Sequence, residues 1–115
     1  MKRIILFVGL SFLFLAGPAF ATPPSKVDIL YNKDTKILSS IVTHHTINSY
    51  FHYISKVEIS VNEKIVKVER MTRQTNSNQQ ILSTPLQDVN PGDVISVMAY
   101  CDFFGQKGSS IKVAP

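Results

Sequence analysis

The sequence predicts an all-β fold, a single immunoglobulin-like antiparallel β-sandwich of about seven short strands. Three observations predict it. Beyond position 21, apolar residues come in short runs that alternate with polar ones, the two-residue period of a half-buried strand. Turn-forming residues separate these runs at short intervals. No stretch of useful length carries the roughly 3.6-residue period of an amphipathic helix.

The first element is not part of that fold. Lys2 and Arg3 form a short basic region, and an apolar run follows from Ile4 to Leu15. Pro18 breaks the run, and Ala19-Phe20-Ala21 has the small-x-small pattern of a cleavage site. Residues 1–21 are therefore expected to be a secretory signal peptide cut after Ala21. The run is shorter than the roughly 20 residues of a spanning helix. No cysteine follows the small-residue box, which argues against a lipoprotein. The basic start suits a secreted protein of the bacterial periplasm. Residues 22–115 then make one domain with a modest core.

Val27–Tyr31 and Lys36–Val42 read as the first two strands. In Tyr53–Val61, Val57, Ile59 and Val61 face one way and Lys56, Glu58 and Ser60 the other. Asn62-Glu63 is a tight turn, because Asn tolerates positive φ. The return strand Lys64–Arg70 places Val66 and Val68 against Lys67 and Glu69, which predicts a hairpin with one solvated face. Thr72–Gln80, rich in Asn, Gln and Ser, reads as a surface loop or weak edge strand, and Ile81-Leu82 and Leu86 restore apolar character. Asn90-Pro91-Gly92-Asp93 is a strong turn signal. Val94–Cys101 is the most apolar strand, with Ile95, Val97, Ala99 and Cys101 on one side, and Ser109–Val113 closes the series.

Charge excludes one class of function. The formal net charge is +4, and removing Lys2 and Arg3 leaves only a mild positive excess. Lys and Arg form no cluster, so nucleic acid is not an expected partner. After cleavage no membrane association is expected either. There is no Gly-rich phosphate loop and no paired-carboxylate set.

The residues that carry chemistry are few. The chain has three histidines and one cysteine. His44, His45 and His52 lie in or beside one loop that precedes a core strand, and Cys101 ends another core strand. Imidazole and thiolate are transition-metal ligands, and loops at one end of a sandwich cluster in space. A lone cysteine is unusual in an oxidising compartment, where small domains use cysteines in pairs. Cys101 is then a buried inert thiol, half of an intermolecular bond, or a functional thiolate. Nucleophilic catalysis is weakly motivated, since a Cys–His pair needs an orienting third group and an oxyanion site.

Two stretches resemble a known family. His52-Tyr53-Ile54 and the strand to Val61-Asn62 are similar to the H-x5-H-Y-I-x-W-I-E segment of the desulfoferrodoxin, or superoxide reductase, family. Pro91–Cys101 resembles that family's G-D-x-x-x-V-x-A-x-C strand, which leads into C-N-x-H-G; here the continuation is Cys101-Asp102-Phe103-Phe104-Gly105. The resemblance spans about Ile41 to Gly105. It implies a β-sandwich holding ferrous iron with four equatorial imidazoles, one axial thiolate and an open position for superoxide. By position it implies Cys101 as the axial ligand, His52 as one imidazole and His45 as another, with His44 matching through a longer loop. Phe104 stands where the family has a fourth imidazole, and Lys26–Asp28 carries no histidine where the family has its first.

The expectation that follows is a periplasmic iron-binding protein reducing superoxide by one electron, with His45, His52 and Cys101 as metal ligands. A set of this size also suits zinc or copper, although Met98 faces away from Cys101 and is a poor axial copper ligand. Lys56 is a candidate for attracting the anion. An external electron donor is required, because the chain has no CxxC and no second redox centre. The alternative is a secreted sandwich that has lost the metal and binds a protein partner or an anionic small molecule through its sandwich face or loops, with the polar Thr72–Gln80 stretch and Tyr50, Phe51, Phe103 and Phe104 as the surface; a homo-oligomer is a further expectation. Small sandwich subunits of periplasmic thiosulfate oxidation look similar, and they act with a partner.

Overall fold

A computed structural model describes residues 22–115; the expected signal peptide lies outside them. Seven antiparallel strands form two sheets, and no helix occurs among the described residues. The strands are β1 (Lys26–Asn32), β2 (Ile37–Thr43), β3 (Ile54–Val61), β4 (Lys64–Arg70), β5 (Gln79–Pro85), β6 (Val94–Cys101) and β7 (Gln106–Lys112). One sheet has the order β1-β2-β5 and the other β4-β3-β6-β7. The expected seven-strand sandwich is therefore the architecture, with the fourth strand on the larger sheet.

Period-two alternation builds the core. Along β2 and past its end, Leu38, Ser40, Val42, His44 and Thr46 are all buried. Val57 and Ile59 of β3 and Ile95, Val97, Ala99 and Cys101 of β6 point in from the facing sheet. Each fully buried aliphatic side chain contributes about 1.5–3 kcal/mol. Tyr31 spans the interior edge and donates its hydroxyl to the Leu86 carbonyl at 2.8 Å.

The turns follow their residues. Asn62 and Glu63 have φ of 51° and 70°, the pair of positive values that a two-residue hairpin turn requires. Gly92 takes φ 90° after Pro91, and the Asp93 N–H donates to the Asn90 carbonyl at 3.1 Å. These are the marks of a type II turn.

One strand departs from expectation. In β4, Val66 and Val68 are exposed, as is Ile65. Residues opposite one another on paired strands share a face. Val68 is opposite Glu58, and Lys67 is opposite Ile59. Val68 therefore lies on the outer face, and the hairpin does not bury its valines. The register shifts between Ile59 and Ser60, so that Ser60 meets Ile65 and Val66 is left unopposed. A bulge of this kind inverts the facing of every residue beyond it. As the edge strand of the wider sheet, β4 also lacks a second neighbour.

The polar 72–80 stretch is more than a surface loop. Gln79 and Gln80 begin β5, and Gln74 is buried at 3% exposure. Backbone bonds tie the segment to the continuation of β2. The His44 N–H donates to the Asn78 carbonyl at 2.9 Å, and the Thr46 N–H to the Ser77 carbonyl at 2.8 Å.

Candidate metal centre

Three segments meet at the end of the sandwich where β2 and β6 finish and β3 begins. They bring His44, His52 and Cys101 together, with one ligand atom from each all within 4.8 Å of one another. His52 and Cys101 are residues that the sequence analysis singled out. His45 is not in this cluster. It is exposed, and its Nδ1 lies 3.3 Å from Asn78 Oδ1. Backbone alternation separates the two neighbours. His44 continues the inward series of Leu38, Ser40 and Val42, so the next residue points out.

His44 is fully buried, and its orientation is set by Gln74. Its Nδ1 lies 2.7 Å from Gln74 Oε1. The same oxygen accepts the Ile54 N–H at 3.2 Å. Gln74 Nε2 donates to the His44 carbonyl at 2.7 Å and to the Asn76 carbonyl at 2.9 Å. With both ends of the amide satisfied in this sense, Oε1 is the acceptor and His44 Nδ1–H the donor, an assignment made from the network. The other nitrogen, Nε2, lies 2.7 Å from the Thr22 carbonyl oxygen. An amide or carbonyl holding the far nitrogen is the usual support of a metal-binding imidazole. Gln74 has no signature in the sequence. It is one amide among many in a polar run, and only its burial distinguishes it.

His52 stands between two rings. Its centroid is 4.7 Å from that of His44 and 5.3 Å from that of Phe103. Both of its nitrogens are 3.8 Å from Cys101 Sγ. Asp102 Oδ1 lies 3.6 Å from His52 Nδ1 and accepts the Tyr53 N–H at 3.0 Å. In return the Asp102 N–H donates to the Tyr53 carbonyl at 3.0 Å. That reciprocal pair fixes the start of β3 against the end of β6.

Cys101 is buried and free of disulfide. Burial pushes its thiol above the ordinary 9.0; the backbone N–H groups of Phe103 and Phe104 pull it back, and Asp102 adds to the rise. Those two N–H groups are the donors a sulfur anion needs. The pocket thus supplies thiolate support but little positive charge, and a bound cation would provide the remainder.

The other candidates are placed elsewhere. Phe104 is exposed, and the Lys26–Asp28 segment lies in β1 without a ligand. Met98 faces outward against Gly108, opposite the side of Cys101. Lys56 is also on the outer face, 4.4 Å from the Tyr100 ring centre and 3.9 Å from Glu58. Tyr100 donates its hydroxyl to Glu58, and that bond raises its pKa above 10.0. Beside the cluster lies an open cleft of about 490 Å³, lined by Thr22, His45, Thr46, Ile47, Asn48, His52 and Phe103. Its walls are mostly apolar.

The donor set fits a transition ion of low coordination number. Two imidazoles and one thiolate suit iron(II), zinc or copper. The five-ligand iron site implied by the family resemblance is not assembled by His, Cys, Asp or Glu among the described residues.

No protein family model matches the chain, and no curated protein does. Among solved structures, the chain is similar to a superoxide reductase (neelaredoxin) from Ignicoccus hospitalis in a variant form. The identity is 16%, the match covers 83% of this chain and 82% of that one, and the TM-score is 0.49. A second structure of superoxide reductase (neelaredoxin) from the same organism is 16% identical, with 80% and 81% coverage and a TM-score of 0.47.

Proposed function

We propose that this domain binds a transition-metal ion through His44, His52 and Cys101, and that the ion is iron serving one-electron chemistry on superoxide. The observation that carries the metal reading is the convergence of two imidazoles and a buried thiol within 4.8 Å. The oriented His44 and the backbone donors around Cys101 reinforce it. Iron and superoxide enter through the sequence resemblance around His52 and Cys101. When bound, iron would supply a one-electron couple tuned by the thiolate. The protein's own part is plain. Gln74 holds the His44 ring, Asp102 holds the start of β3, and the apolar cleft gives access to the His52 side of the cluster. The chain holds no other redox group, so an external donor is required. We also propose that the domain is exported to the periplasm by residues 1–21, which amino-terminal sequencing of the secreted protein would test.

The experiment is anaerobic Fe(II) addition to the processed chain, followed by metal analysis and a visible spectrum after oxidation. Stoichiometric iron with a thiolate-to-iron charge-transfer band is expected, and Cys101→Ser is expected to lose both. No iron in the wild type, or full occupancy in Cys101→Ser, overturns the reading. Superoxide consumption by the loaded protein then tests the activity separately.

A second reading rests on a different observation. Ile47, Tyr50, Phe51, Phe103 and Phe104 are exposed around the same end, Ile47 at 95%. Exposed apolar groups gathered in one place mark a protein contact. Under this reading Cys101→Ser keeps partner binding, and Phe51→Ser or Phe103→Ser weakens it.

A further inference from the structure

Every residue of β4 except Glu69 is exposed, including Ile65 at 52%, Val66 at 48% and Val68 at 42%. The other edge of the same sheet, β7, lies against β1. β4 has β3 on one side and, among the described residues, no strand on the other. Successive residues of an antiparallel strand direct their peptide groups to alternate sides. The Met71 N–H points toward β3 and donates to the Ser55 carbonyl at 3.0 Å. Glu69 and Lys67 turn the same way through their regular pairing with Val57 and Ile59. The N–H and C=O groups of Val68 and Arg70 therefore face outward, with no strand to meet them. An apolar edge with unmade backbone hydrogen bonds is a template for another strand.

Charge selects the occupant and its register. A two-fold axis normal to the sheet sets β4 of a second copy antiparallel to the first and keeps each residue on its own face. Opposed residues share a face, so such a pairing is centred on a residue, which meets its own copy. Centred on Lys64, Lys67, Glu69 or Arg70, it sets a charge against its own kind, which destabilises the pair. Centred on Ile65 or Val66, it runs through the bulge and draws in the turn at Asn62-Glu63. Centred on Val68, it opposes Val68 to Val68, Val66 to Arg70, and Lys67 to Glu69 on both sides of the axis. No like charges face each other there. The regular part of β4, Lys67–Arg70, carries this register, and the bulge falls at its end. Lys67 and Glu69 already lie 3.9 Å apart within one chain, so the axis builds a ladder of alternating sign. Exposed pairs of this kind add little affinity. Their effect is to reject the other registers.

We infer that β4 is a dimerisation edge, pairing antiparallel with β4 of a second copy about a two-fold axis at Val68. The larger sheets of the two copies then join into one continuous sheet. The ends that carry His44, His52 and Cys101 point in opposite directions along it, and neither is covered. The inference does not depend on the metal-binding reading.

The test is sedimentation velocity of the processed chain at rising concentration, with a chelator present to exclude metal bridging. A monomer–dimer equilibrium is expected. Lys67→Glu is expected to weaken it by about tenfold or more, since like charges replace opposite ones on both sides of the axis. The double variant K67E/E69K restores the opposition and is expected to recover the dimer. A chain that stays monomeric at every concentration overturns the inference. So does a dimer that Lys67→Glu leaves unchanged, which seats the second copy elsewhere, and so does a double variant as weak as the single one. Should Lys67→Glu not fold, Val68→Cys decides. A hydrogen-bonded pair at the axis brings the two Cα atoms to about 5.5 Å, within reach of a disulfide. Oxidised glutathione is then expected to yield a covalent dimer that the wild type, with Cys101 alone, does not form. No more covalent dimer than in the wild type overturns the inference.

Discussion

Gln74 and His44 hold each other through two hydrogen bonds of 2.7 Å, from the ring to the amide oxygen and from the amide nitrogen back to the main-chain carbonyl of His44. The pairing joins residues thirty positions apart and fixes which imidazole nitrogen faces the site. Gln74→Leu is expected to unfold at lower temperature. It strands buried polar groups of His44, Ile54 and Asn76, each costing about 1–3 kcal/mol. It should also weaken metal binding by about 10–100-fold. Calorimetry and metal titration on the same variant check the two effects. Wild-type affinity would show that Gln74 only supports the fold.

His44 and His45 are adjacent yet differ in role. His44→Ala is expected to lose metal binding and to open a cavity costing on the order of 2 kcal/mol or more. His45→Ala removes an exposed ring with a single 3.3 Å contact and should change stability by less than about 0.5 kcal/mol. Paired thermal melts and Fe(II) titrations distinguish them. A reversed result would place the site at His45.

Asp93 and Asn62 clamp two turns together. Asn62 Nδ2 donates to Asp93 Oδ1 at 3.0 Å, and the Asn90 N–H donates to Asp93 Oδ2 at 2.8 Å. The backbone bond from Asn90, and then the amide of Asn62, hold the Asp93 carboxyl below its ordinary 3.8. A group whose folded pKa is depressed stabilises fully above the unfolded value. Its contribution fades as pH falls through the lower folded value. Asp93→Asn should therefore melt earlier than wild type at neutral pH, and the gap should close in acid. Melting curves across that range check this, and a constant gap would refute it.

Ser40 Oγ and Thr84 Oγ1 are buried without a hydrogen-bond partner in the protein. A buried hydroxyl left unsatisfied costs about 1–3 kcal/mol. Thr84→Val keeps the shape and removes the hydroxyl, so it is expected to raise stability by about 1 kcal/mol, which is about 4–8 °C in a domain of this size. A lower melting temperature would mean that the hydroxyl is satisfied by water.

Much of the fold was legible in the residues themselves. The strands Lys64–Arg70 and Val94–Cys101, the Asn62-Glu63 turn and the Pro91-Gly92 turn stand where the sequence places them. So does the inward face of Ile95, Val97, Ala99 and Cys101. These depend on side-chain alternation and on local backbone sterics, which neighbouring residues settle. The burial of His44 was also within reach. It extends the series Leu38, Ser40, Val42, had the strand been carried two residues further. The facing of Val66 and Val68 was not, because a bulge follows from the pairing of two strands and not from either alone.

The sequence by itself determined a seven-strand β-sandwich with a cysteine turned into its core and histidines near one strand start. Only the tertiary structure decided which histidine joins Cys101, that Gln74 orients it, and that the Thr22 carbonyl reaches both rings. The physical reason is distance along the chain. The bonds that make the centre link residues 22, 30 and 49 positions apart. Such contacts form when two sheets pack and their loops meet at one end, and no local period records them.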